Sequence, residues 1–130
     1  MRYVKLVAVL AAVCAYPAVA FAHKAPSVSQ KKALVKAFDN NVKEPVPAKC
    51  LREEVSTANS SWAWVEFGVS HSGKLPVICA KFASDGKVVF HFKGGKWRWV
   101  TSGSDFRNGN GGCSLNGKLP KKVISDLDLC

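Results

Sequence analysis

Acidic residues and long apolar runs are both scarce in this 130-residue chain. Its 19 lysines and arginines outnumber 9 acids, which gives a net charge of +10; such an excess favours anionic partners without specifying a fold. Outside residues 6–20, no stretch approaches the roughly 18 apolar residues that a membrane-spanning helix needs. Internal repeats and signs of a second domain are lacking too. We therefore expect one basic domain that does not span a membrane.

The motifs of common catalytic and metal sites are missing as well. G-x-S-x-G does not occur, and His71 lies between two serines without an acid that would complete a triad. The glycine-rich segment 105–110 lacks the order and the closing glutamate of an EF-hand. Glu53 and Glu54 would point to opposite faces of a strand, unlike the paired carboxylates of a glycosidase. We therefore expect neither an enzyme activity nor a cofactor.

The first 22 residues have the pattern of an export signal. A basic start, MRYVK, precedes an apolar stretch that ends at Ala20, and Ala20-Phe21-Ala22 gives the small-x-small pattern of a signal peptidase site. Cys14 would suggest lipoprotein processing instead, but the valine before it fits that role poorly. Cleavage would leave residues 23–130 as a single domain, and we expect it in the periplasm or outside the cell.

Export narrows the choice of partner. Nucleic acid is not expected there, whereas an anionic envelope polymer, a lipid headgroup or an acidic protein is. The exported chain is expected to be a monomer. Cleavage would also give His23 a free amino group, and this group and its imidazole could chelate copper with His71 or His91 as a further ligand.

Four cysteines remain once Cys14 is set aside, namely Cys50, Cys79, Cys113 and Cys130. An even set in an oxidising compartment indicates two disulfides, for which three connectivities exist. We favour Cys50–Cys79 and Cys113–Cys130, because Cys113 precedes a predicted C-terminal helix that Cys130 ends. The spacings do not match a zinc site.

Hydrophobic periodicity predicts an α+β fold with an N-terminal helix, a four- to five-stranded antiparallel meander sheet and a short C-terminal helix. Ser27 and Gln30 form a capping box at the start of a helix over residues 28–41, and Pro120 opens the last helix. Strands are predicted over residues 50–56, 62–69, 76–83, 87–93 and 96–101. We expect both helices to cover the same sheet face and to leave the other face open and basic.

The hairpin over residues 87–101 is the most strongly patterned stretch. Gly94-Gly95 between two alternating runs predicts a two-residue turn, which sets Lys93 opposite Lys96 and Val89 opposite Val100. Alternation then separates an aromatic face from a basic face. The aromatic face carries Val88, Phe90, Phe92, Trp97 and Trp99.

The basic face is the candidate binding surface. Its residues are Lys81, His91, Lys93, Lys96 and Arg98, with Trp62 or Trp64 beside them. Cations next to aromatic rings suit anionic glycans, and arginine can grip a carboxylate with two hydrogen bonds. An alternative explanation stays open. Lysines at a hairpin tip extend into water at little cost, and they can block edge-to-edge pairing without binding a partner.

Two functions follow from these features. The first is an exported binding protein without enzyme activity, whose basic sheet face holds an anionic envelope partner. The alternative is a periplasmic inhibitor or immunity protein that blocks an envelope-targeting enzyme through a loop, either residues 70–74 or residues 102–112.

Residues 55–130 carry a pattern that begins with Ser61-Trp62-Ala63 and Gly95-Lys96-Trp97-Arg98-Trp99-Val100. It continues with Ser102-Gly103-Ser104, Cys113, Leu119-Pro120, Val123, Asp126-Leu127 and Cys130. In this pattern the chain resembles a group of small secreted bacterial proteins. The resemblance implies the Cys113–Cys130 pairing but carries no activity. Trp99 stands where the group more often has a smaller aliphatic residue.

Overall fold

The structure, a computed structural model, describes residues 23–67, 76–82 and 86–130. The predicted export signal and the loop over residues 70–74 therefore lie outside the described residues. Five antiparallel strands form one sheet in chain order: β1 (His23–Lys24), β2 (Leu51–Ser56), β3 (Trp62–Phe67), β4 (Lys87–Lys93) and β5 (Lys96–Gly103). Helices α1 (Val28–Asp39) and α2 (Lys121–Asp126) complete the predicted α+β fold.

Helix α1 begins at the predicted capping box. The Ser27 hydroxyl accepts from the Gln30 amide, and the Gln30 side chain accepts from the Ser27 amide. Leu34 and Phe38 are buried against the sheet. Although Val28 is apolar, it is 75% exposed, and the buried side of the helix begins in its second turn. Among the described residues, no helix is long and apolar enough to cross a membrane.

The sheet has helical cover on both faces, in contrast to the prediction. The α1 face packs Leu51, Val55, Val65 and Phe90 against α1. The opposite face, here called the C-terminal face, packs against α2 and the segment before it. Its buried residues are Trp62, Trp64, Val89, Phe106, Leu115, Leu119, Val123, Ile124, Leu127 and Leu129. Two tryptophans and a valine make too much apolar surface to leave in water, so α2 covers the face that we expected to stay open.

Both predicted disulfides are present, Cys50–Cys79 and Cys113–Cys130. Cys50 and Cys79 are fully buried on the α1 face. Cys113 and Cys130 pack against the cluster on the C-terminal face. Each bond thus fastens an irregular segment to a different side of the sheet.

Residues 77–82 form a 3₁₀ helix (Val77–Phe82) and not the predicted strand. The Cys79 amide donates to the Pro76 carbonyl, and the disulfide draws Cys79 into the α1 face. Val77 and Ile78 are exposed, so their apolar alternation does not reflect burial in a sheet. Because this segment is not a strand, Lys81 does not belong to a sheet face. Residues 83–85, which separate this segment from β4, lie outside the described residues.

The β4–β5 hairpin has the predicted turn and, near it, the predicted register. Lys93 pairs with Lys96, His91 with Arg98, and Phe90 with Trp99. Beyond that point a β-bulge inserts Val100, so that Val89 pairs with Thr101 and not with Val100. The bulge bends the outer strand and shifts the register of the three pairs beyond it, which continue to Lys87 and Gly103.

The turn depends on glycine at two successive positions. Gly94 and Gly95 have φ values of 63° and 77°, which are costly for residues with a Cβ atom. We expect Gly95→Ala to lower the free energy of unfolding by about 1 kcal/mol. Gly109→Ala is the matched control, because a Cβ atom at Gly95 or at Gly109 would meet no atom within 4 Å but only Gly95 has a positive φ. Urea denaturation of the two variants checks this; equal costs would contradict it.

Candidate functional site

Four basic side chains cluster where the β4–β5 hairpin closes. We call His91, Lys93, Lys96 and Arg98 the basic hairpin end. They form two directly opposed pairs, Lys93–Lys96 and His91–Arg98, on the side of the sheet opposite α1. Lys93, Lys96 and Arg98 are exposed and His91 is partly buried. Directly opposed residues in an antiparallel pair have Cβ atoms about 5 Å apart, so the four side chains share one small area.

The positive charge at this end lacks a carboxylate partner among the described residues. The ion pairs among the described residues lie away from the hairpin end. They join Lys31 to Glu53, Arg52 to Glu54, and Lys81 to Glu44. At the hairpin end, the Arg98 Nε donates to the Lys93 carbonyl at 3.4 Å, which keeps the guanidinium over the turn. Like charges directly opposite each other are destabilising. A bound anion would therefore relieve repulsion that is present in the free protein.

An aromatic platform supports one side of the patch. The His91 imidazole stacks on the Trp62 indole, with ring centroids 4.1 Å apart and planes 9° from parallel. Trp62 is buried under the C-terminal segment, so His91 rests on a fixed ring. Trp62 is thus the tryptophan beside the patch. Trp64 instead lies near Lys87 and Arg52, whose charged groups are 4.9 Å and 5.5 Å from its ring centroid.

Lys81 does not join the other four predicted site residues. Its Nζ is 2.9 Å from Glu44 Oε1 and 4.6 Å from the centroid of the Phe82 ring. It lies on the 3₁₀ helix that follows Pro76, because the cysteine two residues before it is tied to Cys50. The predicted five-residue surface is therefore a four-residue surface built from a single hairpin.

The acids near the sheet act as separate structural groups. Glu53 faces α1, is almost wholly buried, and lies 3.7 Å from the Lys31 amine. Burial raises the pKa of the Glu53 carboxyl, although Lys31 opposes this effect. Glu54 lies on the other face and pairs with Arg52. As the sequence indicates, these neighbours do not converge on one cleft.

The C-terminal helix is anchored by a buried carboxylate that the sequence analysis missed. Asp126 accepts hydrogen bonds from the Thr57 and Ala58 amides, at 2.7 Å and 3.2 Å, and from the Ser56 and Thr57 hydroxyls. These four donors come from the segment that ends β2, about 70 residues earlier in the chain. The only sequence signal for this contact is that the segment contains turn-forming residues with hydroxyl groups, which can donate to a carboxylate.

The copper site suggested at His23, with His71 or His91 as a further ligand, is not supported by the described residues. His23 belongs to β1 and pairs with Ser56, so β2 and β3 lie between it and His91 on β4. The backbones of these two residues are thus three strand spacings, or about 14 Å, apart. His71 lies outside the described residues. Within the described part of the chain, no group of three or more His, Cys, Asp or Glu side chains is arranged to hold a metal ion.

The loop after β5 uses its oxygen-bearing side chains for its own backbone. Asp105 Oδ1 accepts from the Arg107 amide at 2.8 Å. Asn108 Oδ1 accepts from the amides of Asn110 and Gly112. Phe106 and Leu115 are buried and hold the loop against the sheet. The segment is thus a series of turns that its own side chains hold in place.

No family model, no curated protein and no solved structure matches this chain. Its function must therefore be argued from the geometry of the site.

Proposed function

We propose that this is an exported binding protein whose basic hairpin end holds an anionic partner. The observation that carries the proposal is the pairing of Lys93 with Lys96 and of His91 with Arg98 without a described carboxylate beside them. Without Arg2 and Lys5 of the first 22 residues, 17 basic residues remain against 9 acids, and this net charge of +8 attracts an anionic partner at long range. Two disulfides are typical of proteins from oxidising compartments, and the signal-like first 22 residues agree with that location.

The arrangement suits a partner with several anionic groups in a row. Lys93 and Lys96 offer two point charges side by side, and Arg98 offers a planar fork that can bind a carboxylate or phosphate through two hydrogen bonds. The flat stack of His91 on Trp62 lies next to them. Such a surface can hold consecutive acidic groups of a polymer or of an acidic chain without a deep pocket.

The variant Lys93→Glu/Arg98→Glu tests the proposal. We expect it to bind polyglutamate about tenfold more weakly than the unchanged protein in 50 mM salt, because both Coulomb attraction and the arginine fork are lost. Lys43→Glu/Lys49→Glu is the matched control, since it changes the net charge equally. Lys43 and Lys49 are exposed, and Lys49 lies just before β2, at the end of the sheet away from Trp62.

Fluorescence anisotropy with labelled polyglutamate gives the affinities, and circular dichroism confirms that both variants are folded. Equal weakening by the two variants would show only a general charge effect, and would refute a specific site at the hairpin end. Capture of a protein from an envelope extract that withstands a high-salt wash and the Lys93→Glu/Arg98→Glu change would instead favour the inhibitor hypothesis.

A further inference from the structure

Strand β5 has an edge to which another strand can add. It is the last strand in the sheet order, so its far side is not paired with any described strand. The Phe92 amide donates to the Ser61 carbonyl on the β3 side at 2.7 Å, which makes Phe92 and its partner Trp97 a pair without hydrogen bonds between them. The backbone groups of Trp97, and of Trp99 two residues later, therefore point away from β4.

This edge is regular over only four residues. It runs from Lys96 to Trp99, and the bulge at Val100 then interrupts it. Bulges of this kind limit unwanted edge pairing. The usable edge is thus confined to the same residues that carry the positive charge.

The two sides of this short edge differ in chemistry. Lys96 and Arg98 point to the basic side. Trp97 points to the other side, where its ring packs edge-on to Phe92 with centroids 5.3 Å apart. Phe92 is 43% exposed. A strand added here would have cations along one face and, along the other, the buried Trp97 ring and the partly buried Trp99 ring.

We propose that β5 takes up an extended peptide segment of an acidic protein as an added antiparallel strand, in which acidic and apolar residues alternate. The inference rests on the proposed function, because the acids would engage Lys96 and Arg98. Its apolar residues would lie beside Trp97 and Trp99, on the side of β5 that faces α1. Backbone hydrogen bonds to Trp97 and Trp99 would supply affinity, and the alternation would supply specificity.

The charge of the β5 edge favours binding of an acidic segment over binding of a second copy of this chain. Antiparallel pairing of two β5 strands would bring Lys96 and Arg98 of one copy close to the same residues of the other. Like charges opposite each other on neighbouring strands are destabilising, and lysines on an edge discourage self-association. An acidic strand reverses the sign of this interaction.

Two peptides of equal composition and charge test the inference against the intact protein. Isothermal titration calorimetry compares Glu-Val-Glu-Val-Glu-Val with Glu-Glu-Glu-Val-Val-Val, both with blocked termini. We expect the alternating peptide to bind about tenfold more tightly, because only alternation places every acid on the basic side of the added strand. Equal affinities would overturn the inference.

Backbone methylation tests the hydrogen bonds without altering the protein. In antiparallel addition, the valines lie opposite Trp97 and Trp99 and exchange hydrogen bonds with them, while the glutamate amides point outward. Methylation of the valine nitrogens is therefore expected to reduce affinity about tenfold, and methylation of the glutamate nitrogens to leave it nearly unchanged. Equal effects of the two methylations would contradict strand addition.

The failures of the two proposals are distinguishable. Undiminished binding of the alternating peptide to folded Lys93→Glu/Arg98→Glu would refute the proposed function. Loss of binding in that variant, together with equal affinity for the two peptide isomers, would refute strand addition alone and leave the basic hairpin end as an anion site.

Discussion

The variant Asp126→Asn is expected to lower the free energy of unfolding by about 3 kcal/mol. The carboxylate accepts from the Thr57 and Ala58 amides and from the Ser56 and Thr57 hydroxyls. An amide at this position replaces one acceptor oxygen with a donor that faces other donors, so buried groups are left unpaired. Urea denaturation at pH 7 measures the loss.

Asp128→Asn is the matched control for this prediction. Asp128 is exposed and has a positive φ of 49°, which asparagine tolerates as well as aspartate. Its side chain makes no contact that anchors α2, and we expect a change below about 0.5 kcal/mol. Equal losses at both positions would show that the buried carboxylate is not the anchor of the C-terminal face.

The effect of Asp126 should disappear in acid. Burial acts to raise the pKa of this carboxyl, but the hydrogen bonds from Ser56, Ala58 and Thr57 outweigh it and hold the pKa below the ordinary value of 3.8. Since the folded pKa is lower than the unfolded one, the stabilisation is present above about pH 3.8 and is lost as the pH falls through the folded pKa. The difference between the protein and Asp126→Asn should therefore shrink below pH 4, and a constant difference down to pH 2 would contradict the account.

Removal of the second disulfide is expected to have an effect of similar size. Cys113 and Cys130 are 17 residues apart, and closure of such a loop stabilises a fold by about 3 kcal/mol in the chain-entropy model. The bond holds the end of the chain against the C-terminal face, where the Arg107 Nε also donates to the Cys130 carbonyl at 2.8 Å. Urea denaturation of Cys113→Ala/Cys130→Ala measures the loss.

The first disulfide provides the comparison. Cys50 and Cys79 are 29 residues apart, so Cys50→Ala/Cys79→Ala should cost slightly more, about 3.5 kcal/mol. It should also release the 3₁₀ helix that carries Lys81. Hydrogen exchange would localise each effect, with lost protection in α2 for the second bond and near Cys79 for the first. A loss below about 1 kcal/mol for either pair would contradict the assigned role.

The hairpin shows what the sequence can predict and where it stops. Gly94-Gly95 specifies a turn with two positive φ angles, and the turn fixes the register next to it. Four of the five predicted site residues follow from that register. The bulge at Val100 could not be predicted, because an extra valine in an alternating run leaves no compositional mark.

The strand predicted over residues 76–83 was wrong for a different reason. Alternating apolar letters indicate a strand only where one face is buried, and here Val77 is exposed while a disulfide decides the position of Cys79. A long-range covalent bond therefore overrides the local pattern. The placement of Lys81 on the sheet depended on that strand and was wrong with it.

The sheet face that α2 covers also could not be predicted from local sequence patterns. The alternation places Trp62 and Trp64 on the face opposite α1, but the sequence predicts that both helices cover the α1 face and leave this face open. The C-terminal segment covers the two indoles, and the charged groups of Arg52 and Lys87 lie at the margin of this contact. Burial of two tryptophans outweighs the charged neighbours at their margin.

The most direct test of the central claim is a map of the surface that an anionic chain touches. Amide chemical shifts of the labelled protein would be recorded by nuclear magnetic resonance during titration with polyglutamate at low salt. We predict that the largest changes cluster over residues 91–98 and vanish at high salt. Changes that are instead spread over the lysines of α1 and the C-terminal segment, with residues 91–98 unaffected, would contradict the assignment of the basic hairpin end as the binding site.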